Sequence, residues 1–148
     1  MTGTTTSPAW RTIAVGDALP TLEIPLTASV IVAGAIASRD FMPVHHDKAY
    51  ANAQGAPDIF MNILTTNGYV SRYVTDWAGP DAVLEKISIR LGAPALPGTT
   101  MRFTGAVSRT ERKGDQGEVE VELRGTTEIG DHVTGSVVLT LPVDDRQG

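Results

Sequence analysis

No cysteine occurs in the 148 residues, which excludes disulfide scaffolds, thiolate catalysis and Cys-ligated zinc. Basic residues are in deficit: 12 Lys+Arg face 17 Asp+Glu, a formal charge of -5. The chain therefore lacks the positive excess that neutralises phosphates in a nucleic-acid binder, and no nucleic-acid partner is expected. No apolar stretch approaches the ~20 residues of a membrane span. The opening run from Met1 to Pro8 has neither a basic start nor an apolar core, so a secretory signal is not expected. These absences point to a cytoplasmic protein with no membrane partner. What is present is ordinary for a globular chain: with 41% hydrophobic and 20% charged residues, disorder, a collagen-like repeat and a coiled coil are all poor descriptions. The length suits one domain able to bury a core. Residues 1–9 are small and polar and read as a flexible tail, leaving 10–148 as a single domain.

Periodicity divides that domain into an irregular first part and a sheet-forming second part. Ala28 to Arg39, preceded by the capping candidate Thr27, suits a short buried helix, although its Val and Ile content also allows a strand. Pro43 ends whatever forms there, and Asp47 is placed to cap one or two helical turns over Lys48 to Ala51. The clearest helix is expected from Asp58 to about Trp77, with Ile59, Ile63, Val70, Val74 and Trp77 on one stripe and Phe60 and Leu64 beside it. Gly79-Pro80 stops it. Beyond that point apolar and polar residues alternate: Ile87, Ile89 and Leu91; Met101, Phe103 and Val107; Val119, Val121 and Leu123; Val133, Val137, Leu139 and Leu141. Four strands are expected, separated by turns at Pro97-Gly98, at Lys113 to Gly117 and at Gly130-Asp131. A further strand at Leu22 to Leu26 takes an edge because of Pro25. The predicted class is α+β, an antiparallel sheet wrapped around one long central helix.

Arg39 to Asp47 gathers two carboxylates and two of the three histidines into nine residues. Pro43 forbids a continuous helix, so a bend can turn Asp40 and His45 toward one small molecule. An imidazole that titrates near neutrality beside a carboxylate that can orient water is general acid/base equipment. Taken by spacing alone, a helix-ending Asp and a buried hydrogen-bonded His account for the same pair. Asp47 reads as a helix cap and His46 as a surface residue. His132, in a Gly-Asp-His turn, reads as structural or exposed. No metal site is expected, since His45, His46 and Asp47 lack the helical spacing of a ligand pair.

The string D-F-M-P-V-H-x-D resembles the motif of (R)-specific enoyl-CoA hydratases of the MaoC-like hotdog family, usually written G-D-x-N-P-L-H-x-D. Val15-Gly16-Asp17 and Leu96-Pro97-Gly98 resemble that family's entry segment and later turn, so the likeness spans nearly the whole chain. Arg39-Asp40-Phe41, Val44 to Asp47, Asp58-Ile59-Phe60, Asn62-Ile63-Leu64, Arg72 to Pro80 and Gly130 to Thr134 look like one subfamily, the small MaoC-like subunits of actinobacterial steroid side-chain enoyl-CoA hydratases. The resemblance implies a hotdog fold and hydration of a steroid enoyl-CoA with a shortened side chain. It also implies a second MaoC-like subunit, in some cases fused to a DUF35 module, in a heterodimer or heterotetramer. No separate cofactor is implied, coenzyme A being part of the substrate.

Carried over by position, Asp40 and His45 become the catalytic pair, and the backbone N–H of Asn62, where many relatives have Gly, becomes an oxyanion-hole donor. Arg39 replaces the family's Gly. Met42 replaces its Asn, a change that goes with a bulky apolar substrate, so Met42 is a substrate-binding candidate. Anionic coenzyme A needs local basic groups in a chain of net negative charge, and Arg72, Lys86 and Arg90 are the candidates. Two other functions are open: an acyl-CoA thioesterase on the same fold, and a non-catalytic scaffold subunit of a heteromeric complex.

Overall fold

Alternation after Pro80 produces the sheet, and hairpin turns set its order. Residues 6–143 are described in this computed structural model of the chain. β2 (Val83–Leu91), β3 (Thr99–Lys113), β4 (Gln116–Thr127) and β5 (Gly130–Pro142) follow one another after the long helix, and β1 (Leu22–Leu26) precedes it. They form one antiparallel sheet in the order β1-β3-β4-β5-β2. β1 lies at an edge, as Pro25 requires, because proline has no N–H to offer a second neighbour. Gly114 and Asp115 turn β3 into β4, Lys113 pairing with Gln116. The next turn falls on Glu128 and Ile129, earlier than expected, and Gly130 opens β5 with φ 148°.

The first half holds α1 (Ala28–Ala37), a 3-10 turn at Pro43–His45, α2 (Lys48–Ala53) and α3 (Ile63–Ala78). Thr27 caps α1 by accepting from Val30 N–H, and Asp47 caps α2 by accepting from Tyr50 N–H. The long helix starts at Ile63, not at Asp58. Asp58 accepts from its neighbour Ile59 N–H and pairs with Lys48 at 3.5 Å, while Phe60 and Met61 donate to Val44 and Ala95 carbonyls. Those bonds to distant parts of the chain keep 58–61 out of the helix, and Asn62 takes the cap by accepting from Thr65 N–H. The apolar stripe shifts with the start: Thr66, Val70, Tyr73, Val74 and Ala78 face inward, and Ile63 and Leu64 stand about half exposed, at 51% and 52%.

Val70, Tyr73, Val74 and Ala78 of α3 join Met101, Phe103, Val121, Val137 and Leu139 of the sheet in one core. The Tyr73 ring stacks on Phe103 at 5.6 Å. This is the expected α+β layout, one long helix against one antiparallel sheet. Of the stretch read as a tail, residues 1–5 lie outside the described residues, as do 144–148 at the other end. Ser7 accepts a hydrogen bond from Asp81 N–H at 2.9 Å, which ties the start of the described chain to the segment after α3. Among the described residues no helix is long and apolar enough to cross a membrane.

Candidate active site

How α1 ends decides where Asp40 goes. Arg39 N–H donates to Ile36 O at 3.0 Å and Asp40 N–H reaches back to Ala35 O at 2.9 Å. This is a Schellman termination, in which the residue after the cap adopts the left-handed region. Arg39 is that residue, with φ 58°, the only non-glycine with positive φ among the described residues. The conformation explains why the family motif carries Gly there, and why Asp40 leaves the helix at a fixed angle.

The next corner places His45. Pro43 supplies the fixed φ of the first 3-10 position, His45 N–H donates to Met42 O, and Asp47 N–H closes back on Pro43 O at 2.8 Å. His45 is 7% exposed, and its imidazole touches Phe60 edge-on at 5.1 Å. Its Nδ1 lies 2.7 Å from Phe60 O, which can only accept, so Nδ1 carries a hydrogen and Nε2 is left for other work. Nε2 lies 3.3 Å from Asp40 Oδ2. His46, by contrast, is exposed and reaches only Phe41 O.

Asn62 meets the pair from α3. Its Nδ2 donates to Asp40 Oδ2 at 3.1 Å and to Ser38 Oγ at 2.8 Å, and its Oδ1 accepts from Thr65 N–H and Thr65 Oγ1. Asp40 Oδ1 also accepts from Met42 N–H. The Asn62 amide is the main cause that holds the Asp40 carboxyl below its ordinary range; partial burial opposes it, and Met42 N–H and the nearby His45 charge assist. As the cap and first residue of α3, Asn62 and Ile63 also carry backbone N–H groups without a partner inside the helix, at the positive end of its dipole.

These groups share a cavity of about 340 Å³ lined by Asp40, His45, Asn62, Ile63, Leu91 and His132, with the Gly92–Pro94 segment closing one side. His132 is structural and 2% exposed, so its sequence reading resolves to the first alternative. Its Nδ1 lies 2.7 Å from Ala93 O and its Nε2 2.8 Å from Thr66 Oγ1, and burial holds its pKa below the usual value. Periodicity could not place it. His132 and Val133 are both buried in succession beside a register shift between Gly125 and Thr126, which breaks the alternation. The side-chain role of Asn62 had a sequence signal, an Asn followed three residues later by Thr at a helix start, but the expected start at Asp58 concealed it.

The other binding candidates lie away from this cavity. Met42 is adjacent through its backbone N–H, and the residue is 54% exposed. Arg72 lines a separate groove of about 390 Å³ between α1 and α3, with Leu64 and Tyr69, and pairs with Asp76 one turn on. Lys86 and Arg90 are exposed on β2. No group of three or more His, Asp or Glu side chains among the described residues is arranged to hold a metal ion.

The sequence pattern of the MaoC like domain matches residues 12–129, a span that contains Asp40, His45 and Asn62. The chain belongs to the MaoC-like domain family. It is 46% identical over 127 residues to the 3-oxo-4,17-pregnadiene-20-carboxyl-CoA hydratase beta subunit of Mycobacterium tuberculosis, covering 86% of this chain and 95% of that one. Its structure superposes on a chain of the ChsH1-ChsH2 complex from Mycobacterium tuberculosis with a TM-score of 0.82 at 45% identity, covering 86% of this chain and 98% of that one. The unliganded R-hydratase PhaJ1 from Pseudomonas aeruginosa gives a TM-score of 0.82 at 18% identity, over 93% and 88% of the two chains. At that identity the likeness is one of fold, and it makes the MaoC-like chain a hotdog protein.

Proposed function

We propose that this MaoC-like chain is the catalytic subunit of a cytoplasmic hydratase that adds water across the 2,3 double bond of a steroid side-chain enoyl-CoA. The observation that carries the reading is the 3.3 Å approach of Asp40 Oδ2 and His45 Nε2 on the wall of a cavity at the start of α3. The 46% identity to a named steroid thioester hydratase subunit supports the choice of substrate.

Water attacks the β-carbon of an enoyl thioester only if the charge arriving on the thioester oxygen is held. Backbone N–H groups of Asn62 and Ile63, backed by the helix dipole, are suited to that oxygen and need not reorganise as the reaction proceeds. The Asp40 carboxylate and His45 Nε2 face one another closely enough to hold one water molecule between them. As its oxygen bonds to the β-carbon, its proton passes to one of the pair, and a proton returns to the α-carbon on the same face. Nothing is oxidised or reduced, so the reaction calls for no cofactor besides the coenzyme A that belongs to the substrate.

Ile63 and Leu91, which line the cavity, are exposed, as are Leu64 next along the chain and Phe41 and Met42 of the motif, and the outer edges of β1 and β2 end the sheet. That much apolar surface beside a site suits an obligate partner, a second MaoC-like chain that would complete the pocket for a bulky steroid. Met42 would then contact the acyl group, and Arg72, Lys86 and Arg90 remain candidates for the coenzyme A phosphates. Co-expression with a MaoC-like partner tests the reading. The complex should hydrate a steroid enoyl-CoA faster than crotonyl-CoA. Thiol release with the double bond intact would indicate a thioesterase instead, and activity that survives loss of both Asp40 and His45 would indicate a scaffold.

A further inference from the structure

The Asn62 amide has no unused hydrogen-bonding capacity. Its two N–H bonds go to Ser38 Oγ and Asp40 Oδ2, and its oxygen takes Thr65 N–H and Thr65 Oγ1. With both hydrogens and both lone pairs engaged, and the residue 2% exposed, one rotamer is fixed. Ser38 is itself oriented, since its hydroxyl donates to Gly34 O at 2.7 Å in the last turn of α1. A single side chain thus links the end of α1, the carboxylate and the start of α3. We infer that the Asn62 side chain is a positioning residue for the hydration chemistry: it aims Asp40 at the water shared with His45, a role separate from any part its backbone N–H plays.

The alternatives at this position define what the amide contributes. Serine can cap α3 but cannot span to Asp40. Aspartate can cap but sets a second carboxylate against the first. Glycine keeps only the backbone N–H. Among the described residues, the groups that act on Asp40 are Asn62, the Met42 N–H and His45, and of these only His45, from the Pro43 turn, is titratable. α1 contributes neutral Ser38, α3 contributes neutral Asn62, and Arg39 precedes it with its side chain exposed.

The inference rests on the hydratase reading for its kinetic consequence and on geometry alone for its electrostatic one, so it is tested twice on the full chain with its co-expressed partner. Asn62→Ser should keep the melting temperature near that of the parent, lower kcat about 10–100-fold with KM changed far less, and move the acid limb of the kcat profile upward. NMR titration of the Asp40 carboxyl should show its midpoint raised in Asn62→Ser and raised further in Asn62→Asp, whether or not the substrate is correctly identified. An unmoved Asp40 midpoint in both variants overturns the inference, as does full kcat in Asn62→Ser when Asp40→Ala is inactive. A raised midpoint with no hydration by the parent complex would sink the hydratase reading and leave only the Asn62–Asp40 coupling standing.

Discussion

The two buried histidines of this MaoC-like chain face the same cavity and begin alike: each places Nδ1 2.7 Å from a backbone carbonyl, His45 on Phe60 and His132 on Ala93. They differ in what meets the other nitrogen. His45 Nε2 faces the Asp40 carboxylate, an acceptor with a place for water beside it. His132 Nε2 faces the Thr66 hydroxyl, a donor that occupies its lone pair. The first arrangement can take up and return a proton. The second commits both ring nitrogens to fixed protein partners, and it ties the Ala93 loop to the first turns of α3. Burial does not decide whether a histidine reacts; the partner of its second nitrogen does.

That contrast can be broken from either side. The largest effect should come from Asp40→Ala and His45→Ala, each lowering hydration by at least about 100-fold with the melting temperature little changed. His132→Ala should do the reverse. Leaving the Ala93 carbonyl and the Thr66 hydroxyl without their partner should cost roughly 1–3 kcal/mol of stability, read by urea denaturation, with a smaller change in rate.

A pH series sharpens the same comparison. Burial holds His132 below its ordinary 6.5, so between the two values the unfolded chain binds a proton that the folded chain refuses. Stability should therefore fall as pH drops below about 6.5 toward the lowered folded value, with no contribution from this group at higher pH. His132→Gln should flatten that slope. The smallest expected effect is at the Schellman turn: Arg39→Gly relieves a left-handed backbone at φ 58° and should raise stability by about 1 kcal/mol in the same denaturation assay.

The sheet was legible because each strand buries one face, and period two survives in the sequence wherever that holds. Pro25 gave the edge position of β1 for a reason that needs no neighbour. The start of α3 was not legible, because Asp58 has the chemistry of a cap and only contacts distant in the chain, with Lys48, Val44 and Ala95, keep its segment irregular. Asp40 and His45 lie five residues apart on a corner bent by Pro43, so local turn chemistry and the family motif reached them. Asn62 meets Asp40 across 22 residues and His132 meets Thr66 across 66. No local pattern encodes such pairs. They exist because α1, α3 and β5 converge on one cavity. The exposed apolar side chains of Ile63 and Leu64 misled the stripe for a related reason, since hydrophobicity alone does not say whether a residue packs within its own chain or against another.

The central claim is that Asp40 and His45 act on the same water molecule. A double-mutant cycle on the hydration rate of the assembled complex measures this most directly, because groups that act as a unit are not additive. The Asp40→Ala/His45→Ala double variant should be about as slow as the slower single variant. If the two losses instead multiply, the residues act independently and the shared-water account is wrong.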